Sequence, residues 1–510
     1  MARFNQKVEN ARIADINYRE YIMYRDDGQH GKYVDRAKMC NNYYVGEQWD
    51  PADKAALDAA GRPCLTLNLT MPKVNTVAGE QIAKRVDVTF KPKGGGASSD
   101  IAHDLNAVIR NILDENQFDW RESGVFLDGI IEERGYFDLR LDFATHIAGE
   151  ARITVPDNRD ILIHPDAREY DPDTWPGVIK TRLYSLDEIE SSFGKGKRVE
   201  IEALSEGGGL YIDDSVTFQK DTTFGGGESQ VTANFAGQEM DKRQIRYVRV
   251  IDRQYWRLQN AWHFVDGERG DSRMAPSNWS QKRMEEFAAR NGLYLIKKMA
   301  KRVRWVQSVD HILLHDDWSP FRHFTVIPYF CYFRRGKPVG LVTNLLSPQD
   351  HFNKLASQTL AVVNAVANGG WTVEEDSLTN MTLEDLELKG GTTGIVIEHK
   401  VGTNPPAKIQ ANKIPSGLDR MKQDAAAAMD KISGVDDVLE GTASGEFSGV
   451  ALGHQETRGL RKLAMPIDNL RQTRWLLARN LLDLIKDHYR EQRIFYTMDK
   501  AVPAGSQEEM

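Results

Sequence analysis

Two histidines four residues apart, His311 and His315, stand in the run Asp310-His311-Ile312-Leu313-Leu314-His315-Asp316-Asp317 and share a face in either helix or strand, the first requirement for a pair of metal ligands. The run has no glutamate in the HExxH sense and lies between two apolar strand-like segments, so it reads as a turn or strand edge. Asp157, Asp160, Asp166, Glu169, Asp171 and Asp173 bring carboxylates together as a Ca²⁺ loop does, but without the Asp-x-Asp-x-Asp-Gly spacing that wraps a chain round the ion. They read as a solvated loop. Phe193-Gly194-Lys195-Gly196-Lys197 has no glycine five residues before a Gly-Lys-Ser/Thr and makes no phosphate cradle, and the glycines of Gly441-Thr442-Ala443-Ser444-Gly445 are misplaced for a nucleophile elbow. The sequence therefore predicts no catalytic residue, no cofactor site and no metal site.

Charge is the more suggestive feature. Lys297, Lys298, Lys301, Arg302 and Arg304 crowd one strand-like segment, with Arg302 and Arg304 on one face and Lys301, Val303 and Trp305 on the other. That is either a solvated strand edge, where lysines deter edge-to-edge association, or a docking surface for an acidic partner or passing DNA. The chain as a whole carries a net charge of -8, which argues against a surface that grips nucleic acid all round, though not against a channel through which DNA slides.

The elements that position these residues fill a chain of 510 residues, room for two to four domains. Hydrophobic residues at 41%, charged residues at 27% and a mean hydropathy of -0.51 describe a polar, folded protein with no run long enough to span a membrane. The first residues lack the apolar core of a secretion signal. Cys40, Cys64 and Cys331 are far apart and match no metal spacing, which points to a reducing compartment. The periodicity predicts polar helices over 8–27 and 29–46, helices over 71–85 and 101–116, and strands over 86–92, 137–143, 151–155, 161–164 and 178–183. Ser185 with Glu188 is a capping box. Residues 203–241, rich in Gly, Ser and Asp, read as a mobile insertion, and 244–265 as an aromatic-rich strand.

The organising stretch is 338–370. Ser347 as N-cap, Pro348 in the first turn and Gly369-Gly370 at the end delimit a helix over 348–368, with Phe352, Leu355, Ala356, Val363 and Val366 as its packing stripe. Before it come a shorter helix over 276–290 and two strand-like runs, 293–309 and 324–333; after it come a strand-like run over 394–398, a helix from Pro415-Ser416 to Ser433-Gly434, and one long helical run over 449–493.

Helix, small β unit, long helix is an order that resembles the stem–clip–stem of phage portal proteins, most closely the portal family of short-tailed, podovirus-type phages. Pro328, Pro338, Gly340, Leu345, Gln349, Asn353 and Ser357 carry the resemblance. So do Gln48-Trp49, Gly61-Arg62-Pro63 and Asn68 upstream, and Gly434, Gly441, Ser448-Gly449, Arg458-Gly459, Asp468-Asn469-Leu470, Tyr489 and Arg493 downstream. The resemblance implies an α+β, portal-like fold: wing and hip over 1–270, first stem helix 271–292, clip 293–335, second stem helix 336–370, a return to the wing over 371–445, and a helix towards a reduced or missing crown over 446–510.

It further implies a non-enzymatic ring, commonly of twelve subunits, at one capsid vertex of a virion assembled in the host cytoplasm. Double-stranded DNA passes through the ring weakly and without sequence preference. The terminase large subunit docks first, head-completion and tail adaptor proteins later, and the major capsid and scaffolding proteins surround the ring; no membrane is involved. Lys301, Arg302 and Arg304 are then clip docking residues, and Arg458, Arg461, Lys462, Arg471, Arg474 and Arg479 either face DNA or, the favoured reading, pair with acids on the next subunit. The alternatives from other classes are a nucleic-acid-processing accessory enzyme, which would need clustered carboxylates with a metal, or a generic scaffold of a bacterial complex. The purified protein is expected to hydrolyse neither ATP nor DNA, as it has neither a phosphate loop nor a two-metal carboxylate set. ATP turnover that vanished on changing one residue of this chain would overturn that expectation.

Overall fold

The protein is described from a computed structural model covering residues 2–489 except 86–87, 93–98, 145, 148, 207–246, 268–271, 276–278, 368–369, 393, 409–416, 436–460 and 462. The chain opens with α1 (Ala2–Asp26) and α2 (His30–Val45), which part at Gly28, where any Cβ would overlap the Tyr24 carbonyl. In α3 (Pro51–Ala59) the Asp50 side chain accepts from the Ala52 N–H and Pro51 sets the first turn. Then follow α4 (Thr70–Ala83), α5 (Ser99–Glu115), α6 (Phe118–Glu132), β1 (Arg134–Asp142), β2 (Glu150–Thr154), β3 (Ile161–Ile163) and β4 (Gly177–Ser185). The capping box opens α7 (Leu186–Phe193): the Glu188 N–H donates to Ser185 Oγ and the Ser185 N–H to Glu188 Oε2. After α8 (Lys195–Glu206) come β5 (Tyr247–Val265), β6 (Ser272–Met274), α9 (Gln281–Arg290), β7 (Tyr294–Val309), β8 (Ile312–Trp318), β9 (Val326–Phe330), β10 (Tyr332–Arg334) and β11 (Lys337–Val339). The last described elements are α10 (Leu341–Ala367), β12 (Trp371–Thr372), α11 (Leu383–Lys389), β13 (Ala407–Lys408), α12 (Gly417–Ser433) and α13 (Ala464–His488).

The chain divides into two compact units, one of Met1–Met39, Glu80–Gly340 and Ala464–Met510, the other of Cys40–Gly79 and Leu341–Leu463. In the larger, an antiparallel sheet of order β3-β4-β5-β7-β8, with β6 on β5, faces a smaller one of order β2-β1-β9. Tyr136, Val178, Val303, Phe324, Val326 and Phe330 are buried in one core cluster drawn from both sheets. Beside it lies a polar seam. Asp138, 1% exposed, pairs with Arg140 and Lys180, Arg140 Nη2 reaches Asp252 Oδ2 at 2.9 Å, and Trp305 Nε1 donates to Asp252 Oδ1 at 2.7 Å. Burial works against charge on Asp138, but Arg140 and Lys180 outweigh it and hold the carboxyl at about 2. On the small sheet, Tyr329 of β9 occupies space that Gly129 of α6 leaves free, and Arg474 of α13 clasps the buried Glu122 of α6.

The strands over 293–333 do not form a module of their own. β7 pairs with β5 from Ile251↔Ser308 to Val265↔Tyr294, and β9 pairs with β1 from Arg134↔Phe330 to Asp138↔Val326. A first stem helix over 271–292 is also absent as drawn, since α9 is ten residues long and packs on the end of the β5–β7 pair. Residues 88–92 are not a strand; Asn106 satisfies both the N–H and the C=O of Phe90, giving it the partners that a strand would. Residues 394–398 join no strand, though His399 bridges Leu378. The insertion over 203–241 falls almost wholly outside the described residues.

The smaller unit pairs two helices. α10 starts at Leu341, seven residues before Pro348, which therefore lies inside the helix and not in its first turn. It packs along α12, where Lys422 lies over the Phe352 ring at 5.4 Å. Between the two helices in the chain sits a small module, residues 371–408, in which β12 pairs with β13 and α11 lies between them in sequence.

One cluster of the larger unit makes its stability depend on pH. His323 sits between Asp173 (Nδ1 to Oδ2, 2.6 Å) and Asp483 of α13 (Nε2 to Oδ2, 3.0 Å), Arg479 reaches Asp171 and Asp173, and Arg322 pairs with Asp487. Burial opposes the imidazolium, but the bonds to Asp173 and Asp483 outweigh it and raise His323 to about 9. Because the folded pKa lies above the ordinary 6.5, the stabilisation is complete below about pH 6.5 and is lost as pH rises through about 9. Thermal melts between pH 6.5 and 9.5 should show a decline on the order of 1–3 kcal/mol, reduced by solvent screening. His323→Gln should flatten it, and an equal decline in that variant would place its origin elsewhere.

Candidate functional site

The smaller unit holds the most constrained polar arrangement among the described residues. The segment Leu65–Leu69 runs extended after Gly61-Arg62-Pro63 but pairs with no strand, so its backbone donors need other partners. One face of α10 supplies them. Ser357 Oγ accepts from the Leu65 N–H at 2.9 Å, Asn353 Oδ1 from the Leu67 N–H at 3.1 Å, and Gln349 Oε1 from the Leu69 N–H at 3.1 Å. Residues 349, 353 and 357 stack at four-residue spacing on one helical face, and alternate residues of an extended chain present their N–H groups to one side. Gln349 Nε2 donates back to the Leu67 carbonyl at 2.7 Å.

Two further amides close the arrangement. Asn353 Nδ2 donates to Gln48 Oε1 at 2.6 Å, and Gln48 Nε2 donates to the Tyr43 carbonyl and to Asn68 Oδ1. Asn68 also accepts from the Thr70 and Met71 N–H groups, capping α4, and donates to the Tyr44 carbonyl. Gln48, Gln349 and Asn353 are buried, so a missing partner at any of these three amides is costly. The arrangement has no nucleophile, no acid–base pair and no open cleft; what it does is lock an extended segment to a helix.

The residues singled out from the sequence fare differently. Phe352, Leu355 and Ala356 are buried, as a packing stripe requires, but Val363 is 39% exposed, and the side chain of Val366 lies outside the described residues. Gly340 is explained by a close approach, since a Cβ there would meet the Ile130 carbonyl and the Glu133 backbone. Ser448, Gly449 and Arg458 lie outside the described residues. Lys301, Arg302 and Arg304 each have partners within the chain. Lys301 Nζ donates to the Asp173 carbonyl and lies over Trp256, Arg302 donates to Gln259 and lies over Trp318, and Arg304 Nε pairs with Asp316 at 2.7 Å. Arg474 and Arg479 pair with acids of the same chain, Glu122 and Asp171 with Asp173.

The metal-like runs are likewise engaged. His311 lies beside Asp15 and Asp310, whereas His315 meets the Trp305 ring edge-on at 5.0 Å, so the two histidines serve different partners. Asp157 and Asp171 cap short 3-10 turns. What the sequence reading missed is the partner of the α10 stripe. Polar residues at i, i+4 and i+8 of a helix otherwise rich in buried apolar residues were the visible signal that a polar backbone lies against it.

Compared with known proteins, residues 25–506 match the family model of phage P22-like portal proteins. No curated protein matches the chain.

Asn353→Leu removes the acceptor of the Leu67 N–H and the donor to Gln48 together. The expected cost is about 2–4 kcal/mol, and hydrogen exchange should show the Leu65, Leu67 and Leu69 amides losing protection before those of β5 and β7. Unchanged protection at these three amides would mean that water or another group holds the segment.

Proposed function

The chain belongs to the P22-like phage portal family, and from that premise we propose that α10, the 371–408 module and α12 are its stem, clip and returning stem, in place of the 271–370 stretch. The protein serves as a phage portal, a structural subunit. The observation that carries the reassignment is the packing of α10 along α12 with a small β-containing module between them in the chain. That is the helix, β unit, helix order expected of a stem and clip, displaced one module towards the C-terminus. Support comes also from exposure. Leu383, Leu388, Val396 and Val401 are 65%, 83%, 70% and 105% exposed, which is expected of a module too small to bury its own core and completed by its neighbours in an assembly.

On this reading the subunits form a ring, with twelve copies as the expected number, at one vertex of the capsid. α10 and α12 of successive subunits form the wall of a DNA channel, and the 371–408 module meets the terminase and later the tail adaptors. No step requires bond making by this chain. The ladder from Gln349, Asn353 and Ser357 to Leu65–Leu69 stiffens α10, and a stiff helix is what a channel wall that DNA is driven past must supply.

Negative-stain images of the purified protein should show rings with a central hole. Val363 is exposed in the isolated subunit but lies on a helix assigned here to packing between subunits, so Val363→Asp should leave the monomer's melting unchanged within about 0.5 kcal/mol while abolishing rings in native mass spectrometry. A variant that still forms complete rings would place this face of α10 in solvent.

A further inference from the structure

The six-stranded sheet runs out of neighbours partway along its two longest strands. β4 accompanies β5 only as far as Tyr255, and β8 accompanies β7 only from Arg304. β5 and β7 continue together to Val265↔Tyr294, a further ten residues on each strand, which makes a ribbon about 30 Å long at ~3.3 Å per residue. A two-stranded ribbon is at best marginal alone. Here the tip is propped by α9, which lays Met284 and Ala288 against Phe264 with Leu295 alongside.

That prop covers one face only. Strand pairing places Met274, His263 and Ile296 in one row on the opposite face, with Val265 and Tyr294 in the next; His263, at the centre of its row, is buried, whereas Met274, Ile296 and Tyr294 around it are 41%, 48% and 65% exposed. On the α9 side, nearer the body of the sheet, Leu258 and Met299 are bare as well. From Tyr294 to Arg302 the outer edge of β7 has no strand beside it among the described residues. Exposed apolar side chains on both faces and an open edge on a long ribbon mark an interaction surface.

We propose that this ribbon is an arm that seats on a second copy of the same chain, beside it in the ring; the proposal rests on the portal reading. Charge selects the partner. Residues 256–302 contain ten Lys and Arg against five Asp and Glu, a net +5 in a chain of net -8, which leaves -13 on everything else. Each copy therefore offers a positive arm and a negative body, and the contact between them is heterologous: the arm of one copy meets the body of the next, the kind of contact that closes into rings. On the α9 face Lys297 and Lys301 hold their ammonium groups over the Trp262 and Trp256 rings at 5.7 and 4.2 Å. Tyr294, Ile296 and Met274 supply the apolar centre of the contact, and Lys298, on the same face of β7, belongs to its rim.

Two measurements test the arm. The variant Tyr294→Ser with Ile296→Glu should melt as the wild type does, because both side chains are largely solvent-exposed in the subunit. In native mass spectrometry it should need at least about tenfold more protein to reach the same ring population. In the wild type, hydrogen exchange at 294–302 should be slowed at least tenfold in rings relative to subunits dissociated by dilution. Rings at wild-type concentration in the variant, or equal exchange in the two states, would overturn the proposal. Normal rings that fail to enter a capsid shell would assign the arm to another chain and overturn it equally. A wild-type protein that never forms rings would instead sink the portal reading itself.

Discussion

The pairing of β5 with β7 is the constraint from which most of the larger unit follows. It joins two long strands whose root is flanked by β4 and β8 and whose far end has α9 and β6 beside it. At the root, alternate residues face the second sheet, and both the apolar core and the Asp138–Arg140–Asp252 seam lie there. Breaking the pairing would split the sheet into β3-β4-β5, with β6, on one side and β7-β8 on the other. Its long separation along the chain, with α9 and β6 intervening, is also what hid it from sequence reading.

Local signals were legible and non-local ones were not. The capping box at Ser185, the break at Gly28 and the ends of α5 all follow from rules that act within one turn. The portal family was legible too, because an ordered series of short matches survives even when each is weak. The module boundaries were not. A basic strand between two helices has the same pattern whether it belongs to a small clip or to a large sheet, and only β5, some forty residues earlier, decides between them. Pro348 misled for a related reason: it is compatible with a first turn, yet α10 begins at Leu341 and tolerates it inside.

Charged residues that read as candidate chemistry turn out to be the larger unit's fasteners. Asp171 and Asp173 take Arg479, Asp173 and Asp483 hold His323, Arg304 takes Asp316, and Glu122 takes Arg474. Sequence alone cannot tell a carboxylate awaiting a metal from one that already has a guanidinium, because the partner lies hundreds of residues away, as Asp171 and Arg479 do.

The ladder on α10 has a built-in length limit. Each step of four residues along a helix advances about 6 Å, and each step of two along an extended chain about 6.7 Å. The two scales act as a vernier: aligned at the Leu69 rung, they are out of step by roughly 1.4 Å at the Leu65 rung, a slip that side-chain torsions still absorb, as donor–acceptor distances of 3.1, 3.1 and 2.9 Å attest. A fourth rung would have to stretch further. The extended segment gives way at Pro63, which has no N–H to offer and would have been the next residue in phase. The seam is thus a clasp of three teeth whose length is set by the mismatch between two backbone geometries.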